Sequence, residues 1–285
     1  MKFLPCLVAG IGIACPAGAV VLNMTNVTIA GETPDTLGSG GATFRGGFIN
    51  GALFRDPSVD GSAGSGVFRD LYRLSPAGKD SVEQGYNRPG IMNTSVPNGF
   101  DPYLKFGELV QDASQSSYIF VIDINESNNA TDRYLSLDDL KIWIGGTTDP
   151  NPLPSSLSAT MTALGVPEFD MNPSGQQNFV MLDATLSSGS GGGDVFVFVP
   201  KSFFPQNTAP NANIFIYTRM GGYTGAAGFG AGATQEQVSI PGKSIIGGTA
   251  TTVSTIQSGV ATIPEPSTFA ALLFAGLLGF RRRRD

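Results

Sequence analysis

Oxygen-bearing side chains recur at alternate positions in Asp123-Ile124-Asn125-Glu126-Ser127, and the run stays polar to Asp132. Hard cations such as calcium take six to eight oxygen ligands, so this spacing predicts a cation loop. Asp138 and Asp139 follow closely, and Asp138 can reach the same point from the next strand. The candidate ligand set is therefore Asp123, Asn125, Ser127, Asp132 and Asp138. The competing reading is a polar hairpin loop whose Asn and Asp side chains make turn hydrogen bonds.

The start of the loop resembles an EF-hand or dockerin loop, with Asp123, Asn125 and Ser127 at the first, third and fifth ligand positions. It departs at Asn128, where the turn glycine belongs, and at Tyr134, where a bidentate Glu belongs. Glu108 and Asp112 are a further carboxylate pair that a glycosidase would need to bring together. Trp143, Tyr217 and Tyr223 would serve a carbohydrate-binding module if they formed an exposed row.

Whole classes of chemistry are excluded by composition. The chain has no histidine, and its two cysteines are Cys6 and Cys15. Imidazole acid–base catalysis, histidine triads and histidine-ligated zinc fall away together. What remains for catalysis is carboxylates, Lys, Tyr, Ser and Thr. The balance is 17 basic against 23 acidic residues, a net charge of −6. Such a chain repels phosphate, so nucleic acid is not an expected partner.

The elements that must position these residues read as strands. Charged residues are only 14%, and glycine reaches 38 copies. Short β-branched and aromatic runs recur at Val20–Ile29, Ala52–Arg55, Val67–Leu74, Ser117–Ile124, Leu135–Ile144, Ile214–Arg219 and Gln237–Ile240. Ser117–Ile124 reads as central. The alternation in Leu135–Ile144 changes phase at Asp138-Asp139, which predicts a bulge. Phe179–Leu186 and Asp194–Val199 read as a hairpin, Gly38–Gly51 as loops, and Ser202–Phe204 as one helical turn. The period-two pattern puts Phe68, Tyr72 and Leu74 on one face. The fold class is all-β, a sandwich or jelly roll of antiparallel strands.

The two ends differ from this body. Met1-Lys2, the apolar stretch Phe3–Ala14 and Ala17-Gly18-Ala19 read as a secretory signal peptide over 1–19, cut by signal peptidase. The body spans 20–241. Residues 242–262 are rich in Ser, Thr and Gly and read as an exposed stalk. Without Lys2, Arg281–Arg284 and Asp285 the balance becomes 12 basic against 22 acidic residues, and the net charge −10.

Residues 263–285 hold three features in order. Pro264-Glu265-Pro266 keeps the approach extended. An apolar helical stretch, Phe269–Phe280, can partition into a bilayer. Arg281, Arg282, Arg283 and Arg284 then act as a cytoplasmic stop. This arrangement resembles the PEP-CTERM sorting signal of Gram-negative bacteria. The resemblance implies processing by an exosortase-like membrane enzyme and transient anchoring in the inner membrane. It also implies release to the outer surface or matrix, in company with exopolysaccharide. The expectation for the body is a non-catalytic surface protein, with a carbohydrate-binding module and a carboxylate-only hydrolase as the competing classes.

Overall fold

The computed structural model describes residues 19–39, 42–57, 68–75, 81–127, 132–148, 154–186, 193–232 and 234–242. The expected signal peptide, stalk and sorting signal lie outside the described residues, apart from Ala19 and Gly242 at their edges.

The described chain is mostly β. Its strands are β1 (Val21–Asn23), β2 (Thr36–Ser39), β3 (Ala42–Ile49), β4 (Ala52–Arg55), β5 (Phe68–Leu74), β6 (Glu83–Tyr86) and β7 (Thr94–Ser95). They continue as β8 (Ser117–Asp123), β9 (Tyr134–Ile144), β10 (Phe169–Asp170), β11 (Phe179–Asp183), β12 (Val195–Pro200), β13 (Ile214–Met220) and β14 (Glu236–Pro241). One helix, α1 (Leu157–Leu164), stands between β9 and β10. No helix among the described residues is long and apolar enough to cross a membrane.

Two sheets result. The six-stranded sheet runs β1-β11-β9-β13-β6, with β10 paired to β9, and the eight-stranded sheet runs β2-β3-β4-β12-β8-β14-β5-β7. Pairing is antiparallel except for β1 against β11. Period-two alternation drives the packing. In β8, Tyr118, Phe120 and Ile122 enter a core that also takes Leu135, Leu137, Leu140 and Ile142 of β9. The opposite face of β8, Ile119 and Val121, packs with Leu53, Phe196 and Phe198. A strand dense in β-branched and aromatic residues with both faces covered is thus central, as its sequence predicts.

The outer face of the six-stranded sheet is covered by α1. Leu157, Met161 and Leu164 pack on Tyr86, Trp143, Phe215 and Tyr217. Ser156 caps the helix by accepting from Ala159 N at 3.3 Å, a common way to satisfy first-turn amides. The indole of Trp143 donates to the Gly165 carbonyl at 3.0 Å, just past the last turn.

Four expectations change. Phe179–Asp183 and Val195–Pro200 are not a hairpin: β11 lies in one sheet and β12 in the other. The glycine-rich Gly38–Gly51 region contains the whole of β3 and the end of β2. The first strand is short, ending at Asn23, whose amide side chain donates to the Val27 and Glu32 carbonyls at 2.9 and 2.7 Å. Phe68 leaves the face of Tyr72 and Leu74, because the β14–β5 register slips between Tyr72 and Asp70. Phe68 then packs with its ring tilted against Phe196, outside the main core. The helical turn expected near Ser202 is present at Lys201–Phe203.

Candidate functional site

The site grows from one irregularity in β9. Leu137 stands opposite Met220 of β13, yet Asp139 stands opposite Arg219, so Asp138 is an extra residue. This is the bulge that the phase change in the sequence predicts. Two successive acidic side chains, Asp138 and Asp139, are thereby kept off the core face while Leu137 and Leu140 both stay on it. Bulges commonly re-aim side chains in this way.

Each acid has defined partners. Asp138 accepts from Ser136 Oγ at 2.6 Å and from the Gly222 amide at 2.6 Å, with Arg219 Nη1 at 3.8 Å. A Cβ at position 222 would sit 2.6 Å from the Asp138 carboxylate, so glycine allows the backbone to approach. Asp139 lies 3.2 Å from Lys141 Nζ and accepts from Asn172 Nδ2 at 3.3 Å. The short strand β10 places Asp170 opposite Lys141, and the two side chains form an ion pair. Asn172 binds the same group from below, donating its amide to Asp170 at 2.8 Å and Nδ2 to the Asp138 carbonyl at 2.6 Å.

These groups line a cavity of about 730 Å³. Its apolar wall is Leu157 and Met161 of α1 together with Phe179. The volume is in the range of small-ligand sites, and polar and apolar surface line it in comparable amounts. Burial pushes Asp138 up to about 6, despite Ser136, Arg219 and Gly222, which all favour its ionised form. Burial also raises Asp139, and Lys141 opposes it. A raised carboxylate beside two cations and an amide offers acceptors and donors on one floor. Hydroxyl-rich ligands match such a floor, because each hydroxyl both donates and accepts.

The residues read from sequence are distributed differently. Asp123 ends β8, opposite Gln237, in the eight-stranded sheet. Asn125 donates its backbone amide to Glu236 at 2.6 Å and its Nδ2 to the Gln235 carbonyl at 3.0 Å. Ser127 and Asp132 are half-buried on either side of 128–131, which lie outside the described residues. Asp138 belongs to the other sheet and to the pocket just described. Among the described residues no group of three or more acidic side chains is arranged to hold a metal ion. Glu108 bonds Arg69 at 3.1 Å and the Lys105 amide, while Asp112 accepts from the Ser116 and Ser117 amides. Those two acids therefore serve separate local turns.

Trp143 and Tyr217 are fully buried beneath α1, and Tyr223 packs edge-on against Phe179 and Phe229. They form no exposed row. Lys141, Asp170, Asn172, Arg219 and Gly222 are the site residues that sequence reasoning does not find. The bulge is the one local signal that pointed to their position; the partners come from distant strands.

A family model described as the PEP-CTERM protein-sorting motif matches residues 262–284. No curated protein and no solved structure matches the chain. The three-part signal read in the last residues is thus met by an independent match, and the chain carries a PEP-CTERM protein-sorting motif, the mark of an exported protein processed by the membrane enzyme exosortase.

Proposed function

We propose that this chain is a non-catalytic cell-surface or matrix protein that contacts exopolysaccharide through the pocket around Asp138, Asp139, Lys141, Asn172 and Arg219. The signal peptide over 1–19 and the stalk over 242–262 complete this reading, with a β-sandwich body between them. The sorting motif at 262–284 carries it, since that motif fixes where the body must work. The pocket supports it with a cavity of ligand size and a dense set of donors and acceptors. Its carboxylates are already engaged by fixed partners, which suits holding a ligand better than transferring a proton.

The test is cosedimentation of the exported protein with the extracellular polysaccharide of the producing cells. Wild type should sediment, and the double variant N172A/R219A should bind at least about tenfold more weakly, as expected for two lost polar contacts of about 1 kcal/mol each. Equal binding by the variant would move the contact away from the pocket. No sedimentation by either would end the polysaccharide reading. Intact mass of the same exported protein should lack the residues after the Pro264-Glu265-Pro266 motif.

One observation favours a second reading. A carboxyl held at about 6 beside another carboxylate is what an acid-catalysed hydrolase uses. Release of reducing ends from the same polysaccharide, abolished by D138N, would select that reading over the first.

A further inference from the structure

A second group of acids sits where the two sheets meet, and the pocket does not use it. Glu83 opens β6 on the six-stranded sheet, and Glu236 opens β14 on the eight-stranded sheet. Glu126 follows β8, and Asp194 precedes β12. All four are buried, Glu83 and Glu236 completely. Backbone amides hold three of them. Gly232 donates to Glu126 at 2.5 Å, Asn125 to Glu236 at 2.6 Å, and Ile124 to Asp194 at 2.7 Å. Glu83 differs: both of its carboxyl oxygens are buried and have no hydrogen-bond partner among the described residues. The chain is tied together around it, with Ser81 and Ala231 exchanging backbone hydrogen bonds at 2.9 and 3.3 Å.

The surroundings supply no described cation to Glu83 or Glu236. From β8 and its following loop come Asp123, Asn125 and Glu126. From the segment before β12 comes Asp194, and from the segment before β14 come Gly232 and Thr234. The strands paired to the two glutamates offer Met220 and Leu74. The nearby arginines are engaged elsewhere: Arg73 with Gln235 and Gln237, Arg219 with Asp138, Arg133 with Asp183. A buried carboxylate without a cation is far more costly than a buried carboxylic acid.

We propose that Glu83 and Glu236, with Glu126 beside them, form a clasp between the two sheets, closed while these two carboxyls keep their protons and loosened when alkaline surroundings remove them. Burial first, and Glu126 second, push Glu83 up to about 8. Burial raises Glu236 well above its ordinary value, and Glu83, Glu126 and Asp194 add to the effect. The sign follows directly. Both groups bind protons more tightly in the folded state. Their stabilising effect is complete below the ordinary glutamate range and is lost as pH rises toward about 8. An exported protein meets this variable without a cell's buffering, so the clasp would report external pH at the β6 edge.

The experiment is thermal unfolding of the exported protein between about pH 5.5 and about pH 8.5 in a metal chelator. Wild type should lose about 5 °C or more across that range. E83Q should flatten the loss and melt above wild type at the alkaline end, and E236Q should do the same. Amide exchange, corrected for its intrinsic pH dependence, should quicken in 81–86 and 229–236 but not in 118–122. That wild-type measurement decides the matter even where a variant does not fold. Parallel losses in wild type and E83Q would overturn the proposal. So would recovery of the alkaline melting temperature by millimolar calcium in wild type but not in E83Q, because the cluster would then be a cation site.

Discussion

The pocket around Asp138 and the cluster around Glu83 are both buried and both acidic, but they are compensated in opposite ways. In the pocket, Lys141 lies against Asp139 and Asp170, and Arg219 stands by Asp138. In the cluster, Glu83 meets neither a cation nor a hydrogen-bond donor among the described residues. The outcome follows from these partners. Asp138 rises to about 6, low enough to stay mainly ionised at neutral pH, whereas Glu83 rises to about 8 and stays mainly protonated. Burial alone does not set a carboxyl's charge; the groups facing it do. One region thus presents charge to a cavity, and the other hides protons between sheets.

Removing the cation should break this contrast most sharply. K141A would leave Asp139 and Asp170 without their shared partner, at a cost of about 3 kcal/mol in urea unfolding at neutral pH. A cost below about 1 kcal/mol would mean that the pocket acids are as protonated as the cluster and that the two regions do not differ. A smaller effect is expected inside the cluster. A double-mutant cycle of E83Q and E236Q at about pH 8 should give a coupling of about 1 kcal/mol, with each single change stabilising. Additive changes would show that the two glutamates titrate independently.

The pH window then separates the regions. Asp138 is raised, so its stabilising effect is present below the ordinary aspartate range and lost as pH passes about 6. D138N should remove only that acidic part of the stability profile, leaving the alkaline part to Glu83. R219A should be the mildest change, below about 1 kcal/mol, because its guanidinium is well exposed and 3.8 Å from Asp138.

Sequence patterning read the strands better than their partners. Leu135 through Ile144 gave both the alternation and the bulge, because a bulge leaves its mark within a few residues. The placement of β11 and β12 did not come through, since a glycine-rich connection looks alike whether it turns a hairpin or crosses between sheets. The glycines of β3 misled for another reason. A Cβ at Gly46 would lie 2.2 Å from the Phe54 carbonyl oxygen, so glycine marks close strand approach there, not a loop. Acids were harder still. Asp138 and Asp139 read as a change of phase within a strand, which does not tell that both acids are buried on β9. Glu83 and Glu236 gave no signal, because each stands alone in sequence and acquires its neighbours only when the sheets meet. The sorting motif was fully legible, being a linear order of residues that needs no fold.

The bulge in β9 also bears on how such a site can arise. Leu135 and Leu137 on one side of it, and Leu140 and Ile142 on the other, all point into the same core. A strand one residue shorter at this point would keep that inward set unchanged, since regular alternation would place Leu135, Leu137, Leu140 and Ile142 on one face. A single codon insertion could therefore add a second outward acid while the hydrophobic interior stayed as it was. The evolutionary route to a charged cavity, on this geometry, runs through a change that selection on folding would scarcely see.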